Sequence, residues 1–205
     1  MDIAHFAKKP LMGIMRGVEY GLIEPLISTV ISSGLETIEI TMNSADALKS
    51  IKKATRISGG RLTIGAGTVL GMKSLKSALD AGAQYIVMPV LKEDIAAYCV
   101  KNRIPVFPGA LTPQEIYNAW NAGATYVKVF PSGFFGPKYF KEIKGPFEGI
   151  KLLACGGVTP ENIALYRESG ADAFAFGSSV FKKEWLDKRD FKSIGKRIKD
   201  YLKNL

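Results

Sequence analysis

Eight short apolar segments alternate with amphipathic segments along the chain, and this alternation constrains the fold more than any other feature. The intervening segments carry apolar residues at helical spacing, and many end in Gly or Ser-Gly. Alternating strands and helices predict a parallel sheet with helices packed outside it. The predicted strands cover residues 11–16, 37–42, 62–69, 84–90, 104–109, 125–131, 150–157 and 173–179.

The number of strand–helix units favours a closed sheet. Eight units fill the 205 residues, with no segment that resembles a linker. This count is typical of a (β/α)₈ barrel, whereas an open doubly wound sheet usually has fewer strands. The sequence therefore predicts an α/β protein with a single (β/α)₈ barrel domain over residues 1–205.

The amino-acid composition is typical of a folded globular domain. Hydrophobic residues make up 47% of the chain and charged residues 23%, which suits a folded domain with a sizeable core. No apolar run reaches the roughly 18–20 residues of a membrane span, and the first residues lack signal-peptide features. We therefore expect a cytoplasmic protein without a membrane partner.

Cys99 and Cys155 match no disulfide framework, and no cluster of side chains has metal-ligand spacing, so we expect no metal.

The net charge of +9 raises the question of a nucleic-acid partner. Much of the excess lies in the last predicted helix, residues 190–205, which also has an apolar stripe at helical spacing. Its basic residues then fall on a solvated face, and we expect no nucleic-acid partner. A basic surface still attracts anionic small molecules.

Two ionisable residues lie in strands where the alternation of side chains points them into the barrel. Glu39 lies between two isoleucines in the second strand, and Lys128 lies between two valines in the sixth. If the apolar neighbours pack on the helices, Lys128 and Glu39 approach each other inside the barrel. A desolvated lysine with a lowered pKa attacks ketones, and a glutamate can relay the protons of Schiff-base formation. A buried ion pair that only fills the barrel is the alternative.

Glycine-rich segments follow the seventh and eighth strands. Small residues there let backbone N–H groups approach a ligand, and barrels of this class often bind phosphate after these two strands. Gly156, Gly157, Gly177 and Ser178 therefore form a candidate phosphate site. Glycines that simply end a strand are the alternative for either motif alone.

Other polar residues lie near the ends of the first strands. Arg16 closes the first strand with the parity of Met12 and Ile14, so we expect its guanidinium over the barrel mouth. The alternative is a surface arginine that caps the strand or pairs with Glu19. His5 is the only histidine and precedes the first strand, so we expect it on the surface or in packing.

Several motifs, taken together and in order, resemble the 2-keto-3-deoxy-6-phosphogluconate (KDPG) aldolase family, which includes 4-hydroxy-2-oxoglutarate (KHG) aldolases. They are IEIT, GAGTV, a fourth strand ended by proline, PVFPG followed by TP-x-E, VKVFP, GGV and FGS, spread over residues 6–185. The resemblance implies a metal-independent class I aldolase without a cofactor, usually a homotrimer. Its substrate would be a phosphorylated keto acid, cleaved into pyruvate and glyceraldehyde 3-phosphate.

The resemblance also implies roles for individual residues. Lys128 matches the lysine that forms the Schiff base and Glu39 the general acid and base, while Thr68 matches the residue that holds the pyruvate carboxylate. Pro89 and Phe130 match residues that line the pocket. The residues of the candidate phosphate site match the family's phosphate-binding part.

Two positions depart from the family pattern. Many members have an arginine four residues after the catalytic glutamate, where this chain has Asn43, and a threonine before the paired glycines, where it has Cys155. We expect both residues to contact the substrate and Arg16 to supply the missing positive charge. Cys155 is expected to line the pocket rather than to form a covalent bond.

Two other functions remain open from the residues themselves. A sugar-phosphate isomerase or epimerase would use the same phosphate site and Glu39 as a base, but would not need a neutral Lys128. A non-catalytic metabolite-binding barrel would keep Lys128 and Glu39 as a structural pair.

Overall fold

A computed structural model describes residues 1–205, and its elements follow the predicted alternation of strands and helices. The strands are β1 (Leu11–Met15), β2 (Thr37–Thr41), β3 (Thr63–Gly67), β4 (Ile86–Val87), β5 (Val106–Phe107), β6 (Gly109–Ala110), β7 (Val127–Val129), β8 (Leu152–Cys155) and β9 (Ala173–Phe176). The helices are α1 (Ile3–Phe6), α2 (Ile23–Ser32), α3 (Ala47–Ser58), α4 (Met72–Asp80), α5 (Glu93–Lys101), α6 (Pro113–Asn121), α7 (Gly136–Lys144), α8 (Ile163–Glu168), α9 (Lys183–Asp187) and α10 (Phe191–Asn204).

All strand pairs are parallel, in the order β5-β4-β3-β2-β1-β9-β8-β7-β6. The predicted fifth strand is divided into β5 and β6 at Pro108, which has no N–H to donate to a ladder. On its other side this stretch accepts hydrogen bonds from the next strand: Thr125 N donates to Val106 O at 2.8 Å and Lys128 N donates to Pro108 O at 2.9 Å. The sheet therefore closes, and the predicted (β/α)₈ barrel is confirmed.

The core has two parts, one on each face of the sheet. A cluster of 49 buried residues fills the space between strands and helices, and a cluster of 11 fills the inside of the barrel. The isoleucines that flank Glu39 and the valines that flank Lys128 all belong to the outer cluster. The predicted inward direction of Glu39 and Lys128 is therefore confirmed.

Helix α1 closes the N-terminal end of the barrel. Phe6 packs its ring edge-on against Phe107 and Tyr126, with ring centres 6.2 and 5.6 Å away. Helix α1 was not predicted from the sequence, because a helix of four residues is too short to show helical periodicity. His5 lies at this end, exposed, with Nε2 2.7 Å from Glu36 Oε2, as its surface assignment predicted.

The C-terminal helix packs as its apolar stripe predicts. Ile194, Ile198 and Tyr201 of α10 are buried, and the four lysines of the helix are exposed. The structure adds the short helix α9 before it, where the sequence predicted a single helix. No helix of the protein combines the length and the apolar character needed to cross a membrane.

Candidate active site

A pocket of about 480 Å³ opens where β1, β7, β8 and β9 end. It lies at the C-terminal end of the barrel, the end where barrel enzymes carry their catalytic groups. Of the twelve residues predicted for the site, eight line this pocket: Arg16, Lys128, Phe130, Cys155, Gly156, Gly157, Gly177 and Ser178. Barrel closure thus brings the lysine and the glycine-rich segments to one cavity.

Lys128 lies at the wall of this pocket, and only 5% of its surface is exposed. Its strand β7 is held between β6 and β8, opposite Gly109 and Leu153. The amine Nζ lies 5.4 Å from the ring centre of Phe130, a distance at which a cation is attracted to an aromatic face. The flanking strands therefore hold the amine in a desolvated position that opens into the cavity.

Several influences act on the pKa of Lys128. Burial is the largest and lowers the pKa, and Arg16 acts in the same direction, but Cys155 and Glu39 oppose them and the net shift is upward. The sequence-based expectation of a lowered pKa is therefore wrong for this arrangement. Burial also raises the pKa of the Cys155 thiol, so this thiol is protonated at neutral pH. Protonation of Glu39 would remove one of the influences that raise the pKa of Lys128.

Glu39 is buried below the pocket with 1% of its surface exposed, and neither carboxylate oxygen has a hydrogen-bond partner in the protein. Burial is the main cause that raises its pKa, against the opposing charges of Lys128 and Arg16. A Cβ atom on Gly67 would lie 2.2 Å from Glu39 Oε1, so the glycine at this position makes room for the carboxylate. A carboxyl group with a raised pKa suits proton transfer near neutral pH.

The carboxylate and the amine influence each other electrostatically without a direct hydrogen bond. Glu39 is therefore a candidate to give a proton to, or accept one from, a group bound to the Lys128 nitrogen. This arrangement is suited to carbinolamine dehydration, in which a hydroxyl group must leave as water. An ion pair whose only role is to fill the barrel would instead show paired oxygens.

Cys155 forms part of the pocket wall beside Lys128. It ends β8, two residues beyond Leu153, and its thiol interacts with the Lys128 amine. Only 3% of its surface is exposed. A protonated, buried thiol is a weak nucleophile, in keeping with a pocket-lining residue.

Arg16 lies at the pocket mouth with its side chain exposed. It also lines a neighbouring pocket of about 480 Å³ together with Glu19, Lys183 and Arg189. Arg16 takes part in no salt bridge, so the alternative of a pair with Glu19 is not observed. Its positive charge is therefore free to act on an anion at the mouth.

Four predicted residues lie outside the 480 Å³ pocket at Lys128, namely Glu39 and three others. Thr68 follows β3 with a φ of +59°, a conformation that is costly for a β-branched side chain and is concentrated at functional sites. Pro89 lines a separate pocket of about 330 Å³, which shares Phe130 with the first. Asn43 is exposed after β2.

The two loops that follow β8 and β9 line the same pocket as Lys128. In each loop, the backbone N–H groups of three consecutive residues donate no hydrogen bond within the protein. These residues are Gly156, Gly157 and Val158 in the first loop and Gly177, Ser178 and Ser179 in the second. All six line the pocket. Gly157 has a φ of +81°, and a Cβ atom there would lie 2.6 Å from Gly133 Cα, so glycine is required. Unpaired N–H groups concentrated in this way suit a phosphate.

Several residues of the site were not predicted from the sequence. Val158, Thr159, Ser179 and Phe181 line the pocket, and their position directly after the glycine motifs could have identified them. Tyr85 lies inside the barrel with its ring over Gly65, and its buried hydroxyl has no partner. No group of three or more His, Cys, Asp or Glu side chains could hold a metal ion.

Comparisons with known proteins agree with one another. Residues 3–197 match the family model described as KDPG and KHG aldolase. The chain is 35% identical to 2-dehydro-3-deoxy-6-phosphogalactonate aldolase of Escherichia coli (strain K12), over 85% of this chain and 86% of that protein. It is 29% identical to 2-dehydro-3-deoxy-phosphogluconate aldolase of Pseudomonas aeruginosa, over 87% and 81% of the two chains.

Solved structures give the same result. The structure of native KDPGal superposes with a TM-score of 0.88 and 31% identity, covering 95% of this chain and 93% of the other. The structure of 2-keto-3-deoxy-6-phospho-gluconate aldolase from Zymomonas mobilis superposes with a TM-score of 0.87 and 25% identity, covering 98% and 96%.

Proposed function

The chain belongs to the KDPG and KHG aldolase family, and from this premise we propose that it cleaves a 2-keto-3-deoxy-6-phospho sugar acid into pyruvate and glyceraldehyde 3-phosphate. It is a Schiff-base aldolase, a carbon–carbon lyase. One observation carries the choice of substrate: the buried amine of Lys128 and two loops with unpaired N–H groups line the same cavity. The amine suits a keto carbon, and the loops suit a phosphate.

The proposed reaction begins at Lys128. Its neutral amine adds to the keto carbon, and loss of water from the carbinolamine gives an imine, which takes electrons from the C3–C4 bond. The aldehyde leaves as the C4 hydroxyl loses its proton, and the enamine that remains is protonated at C3. Water then hydrolyses the imine and releases pyruvate. Glu39 transfers the protons at these steps, supported by its burial and the lack of a hydrogen-bond partner.

The remaining predicted residues position the substrate in this proposal. Arg16, Thr68 and Asn43 bind the carboxylate end, while Pro89 and Phe130 pack against the carbon chain. Arg16 lies at the pocket mouth and forms no salt bridge, which supports its proposed role in binding the carboxylate. Gly156, Gly157, Gly177 and Ser178 bind the phosphate, supported by their unpaired N–H groups.

The test is a coupled assay of pyruvate release from a panel of 2-keto acids. The panel contains the gluconate and galactonate epimers of the phosphorylated acid, since relatives named for each are similar to this chain, and unphosphorylated 4-hydroxy-2-oxoglutarate. We expect pyruvate from a phosphorylated acid. Incubation with pyruvate and borohydride should add one pyruvate-derived group per chain. An isomerase or a binding protein would release no pyruvate and would acquire no adduct.

Replacement of Arg16 by alanine should lower kcat/KM by about 10- to 100-fold, equal to about 1.4–2.7 kcal/mol. The reason is the loss of the unpaired cation at the mouth, and its exposure to solvent limits the effect. Steady-state kinetics measure it. Adding Asn43→Arg to the Arg16→Ala enzyme should recover part of the loss, because the new cation follows β2 at the position where family members carry arginine. Unchanged kinetics of Arg16→Ala would contradict this role.

We also propose that the enzyme is a cytoplasmic homotrimer. The usual assembly in the family supports the trimer, and Phe134 and Phe135 before α7 give an apolar surface for it, Phe134 being 86% exposed. Sedimentation equilibrium measures the assembly directly. A mass equal to one chain would contradict it.

A further inference from the structure

Tyr201 joins the two loops that carry the unpaired N–H groups. Its hydroxyl donates a hydrogen bond to the Val158 carbonyl oxygen at 2.6 Å, and the Ser179 hydroxyl oxygen lies 2.8 Å from the Tyr201 hydroxyl oxygen. Val158 belongs to the loop after β8 and Ser179 to the loop after β9. Because the single Tyr201 proton goes to the carbonyl, Ser179 Oγ is the donor to the tyrosine. One buried phenol therefore connects both loops.

The position of Tyr201 is itself fixed by packing. It lies on α10 with no exposed surface, and its ring stacks on Phe176, the last residue of β9, with ring centres 4.6 Å apart. One helical turn earlier, Arg197 forms two hydrogen bonds with the Glu161 carboxylate, at 2.7 and 3.1 Å. Glu161 follows the first loop. The C-terminal helix thus attaches to both loops at several points.

The link matters because the two loops must act on one anion. Their N–H groups carry no internal hydrogen bond, so no ladder fixes the distance between the loops at these residues. Donors that converge on a phosphate lose strength quickly when distance or angle changes. We propose that Tyr201 is a positioning residue: it holds the loops after β8 and β9 at the spacing at which their N–H groups bind one phosphate group.

This inference rests on the proposed function, since it assigns the phosphate to these loops. It adds a residue with no place in the family motifs of this sequence and no surface in the pocket. Tyr201 acts through Val158 and Ser179 and does not touch the substrate. Its removal should therefore weaken binding of the phosphate without altering the chemistry at Lys128.

The test is Tyr201→Phe, which removes one oxygen and leaves the ring stacked on Phe176. Binding of inorganic phosphate is measured by calorimetry, and KM and kcat are measured with phosphorylated and unphosphorylated substrates. Tyr126→Phe is the matched control, because Tyr126 is also a buried tyrosine but packs on α1 at the opposite end of the barrel. Ser178→Asp is the positive control, because it adds a negative charge inside the phosphate site.

We expect Tyr201→Phe to weaken phosphate binding and raise KM for the phosphorylated acid by about 5- to 10-fold, the scale of one or two hydrogen bonds. Its kcat, and KM for 4-hydroxy-2-oxoglutarate, should stay within about twofold of the wild type. Tyr126→Phe should match the wild type in phosphate binding. A purely structural role would lower the melting temperature and leave phosphate affinity unchanged, which would overturn the inference.

Failure of the inference can be distinguished from failure of the proposed function. Loss of phosphate binding in Ser178→Asp with wild-type binding in Tyr201→Phe would overturn the role of Tyr201 and leave the phosphate site in place. Absence of phosphate binding in the wild-type enzyme would overturn both the site and the role of Tyr201. Labelling by pyruvate and borohydride tests the Schiff-base chemistry independently of either result.

Discussion

Lys128→Ala should abolish aldol cleavage and remove labelling of the chain by pyruvate and borohydride. The amine is the nucleophile in the proposed reaction, and no second lysine lines the pocket to replace it. Covalent catalysis is lost altogether when its nucleophile is removed, so we expect a fall in kcat/KM of at least about 10⁴-fold. Mass spectrometry after reduction measures the adduct, and the coupled assay measures turnover.

The Lys128→Ala protein should still fold. The neighbouring valines remain in the outer core, and removal of a buried charged group relieves a desolvation cost. Circular dichroism checks this point. Lys151→Ala is a matched control, because Lys151 is an exposed lysine beside β8 whose amine lies over Tyr126, far from the pocket mouth. Near-native cleavage by folded Lys128→Ala would contradict the assignment.

Glu39→Gln should lower kcat by about 10²- to 10⁴-fold, the usual scale for a positioned acid and base, and leave KM within a few-fold. Glutamine has nearly the same shape and fits the space beside Gly67, but it cannot transfer protons. Single-turnover kinetics separate imine formation from cleavage, and both should slow. A wild-type kcat would show that another group relays the protons.

The raised pKa of Glu39 gives this substitution a pH signature. In wild type, the acid limb of kcat/KM should lie above the normal range of a glutamate, and the limb should be absent in Glu39→Gln. The pH dependence of folding stability is opposite to that of a salt-bridged acid. Because the folded state binds the proton more tightly than the unfolded state, stability is lost as pH rises through the raised pKa. Glu39→Gln should therefore be more stable than wild type above the raised pKa, by a margin that shrinks as pH falls and disappears below the ordinary pKa of a glutamate, as measured by denaturant unfolding.

The two largest predictions concern residues that could be identified from local patterns. Lys128 and Glu39 each interrupt an apolar strand, and a period of two residues assigns them a face without knowledge of the rest of the fold. The direction in which the pKa of Lys128 is shifted could not be predicted in this way. It depends on burial and on the charges of Cys155, Glu39 and Arg16, which lie in or directly after three other strands, and this balance exists only in the closed barrel.

The residues that line the pocket could also be predicted only in part from the sequence. The glycine motifs marked the two loops, but a motif does not say which N–H groups stay unpaired; that follows from the hydrogen bonds of the folded loops. The binding roles of Thr68 and Asn43 came from the family resemblance, and the structure places neither in the pocket at Lys128. Pro89 occupies a neighbouring pocket, joined to the first by Phe130. Their parts in binding remain predictions to be tested by kinetics.

The sequence by itself determined the alternation of strands and helices and the inward faces of Lys128 and Glu39, because both follow from periodicities a few residues long. Tertiary structure alone decided that α1 closes the barrel and that Pro108 divides a strand whose ladder still closes the sheet. It also decided that Tyr201 bridges the two loops, one bond spanning 43 positions of the chain. Such contacts depend on closure of the barrel, which brings together side chains whose distance no local pattern encodes.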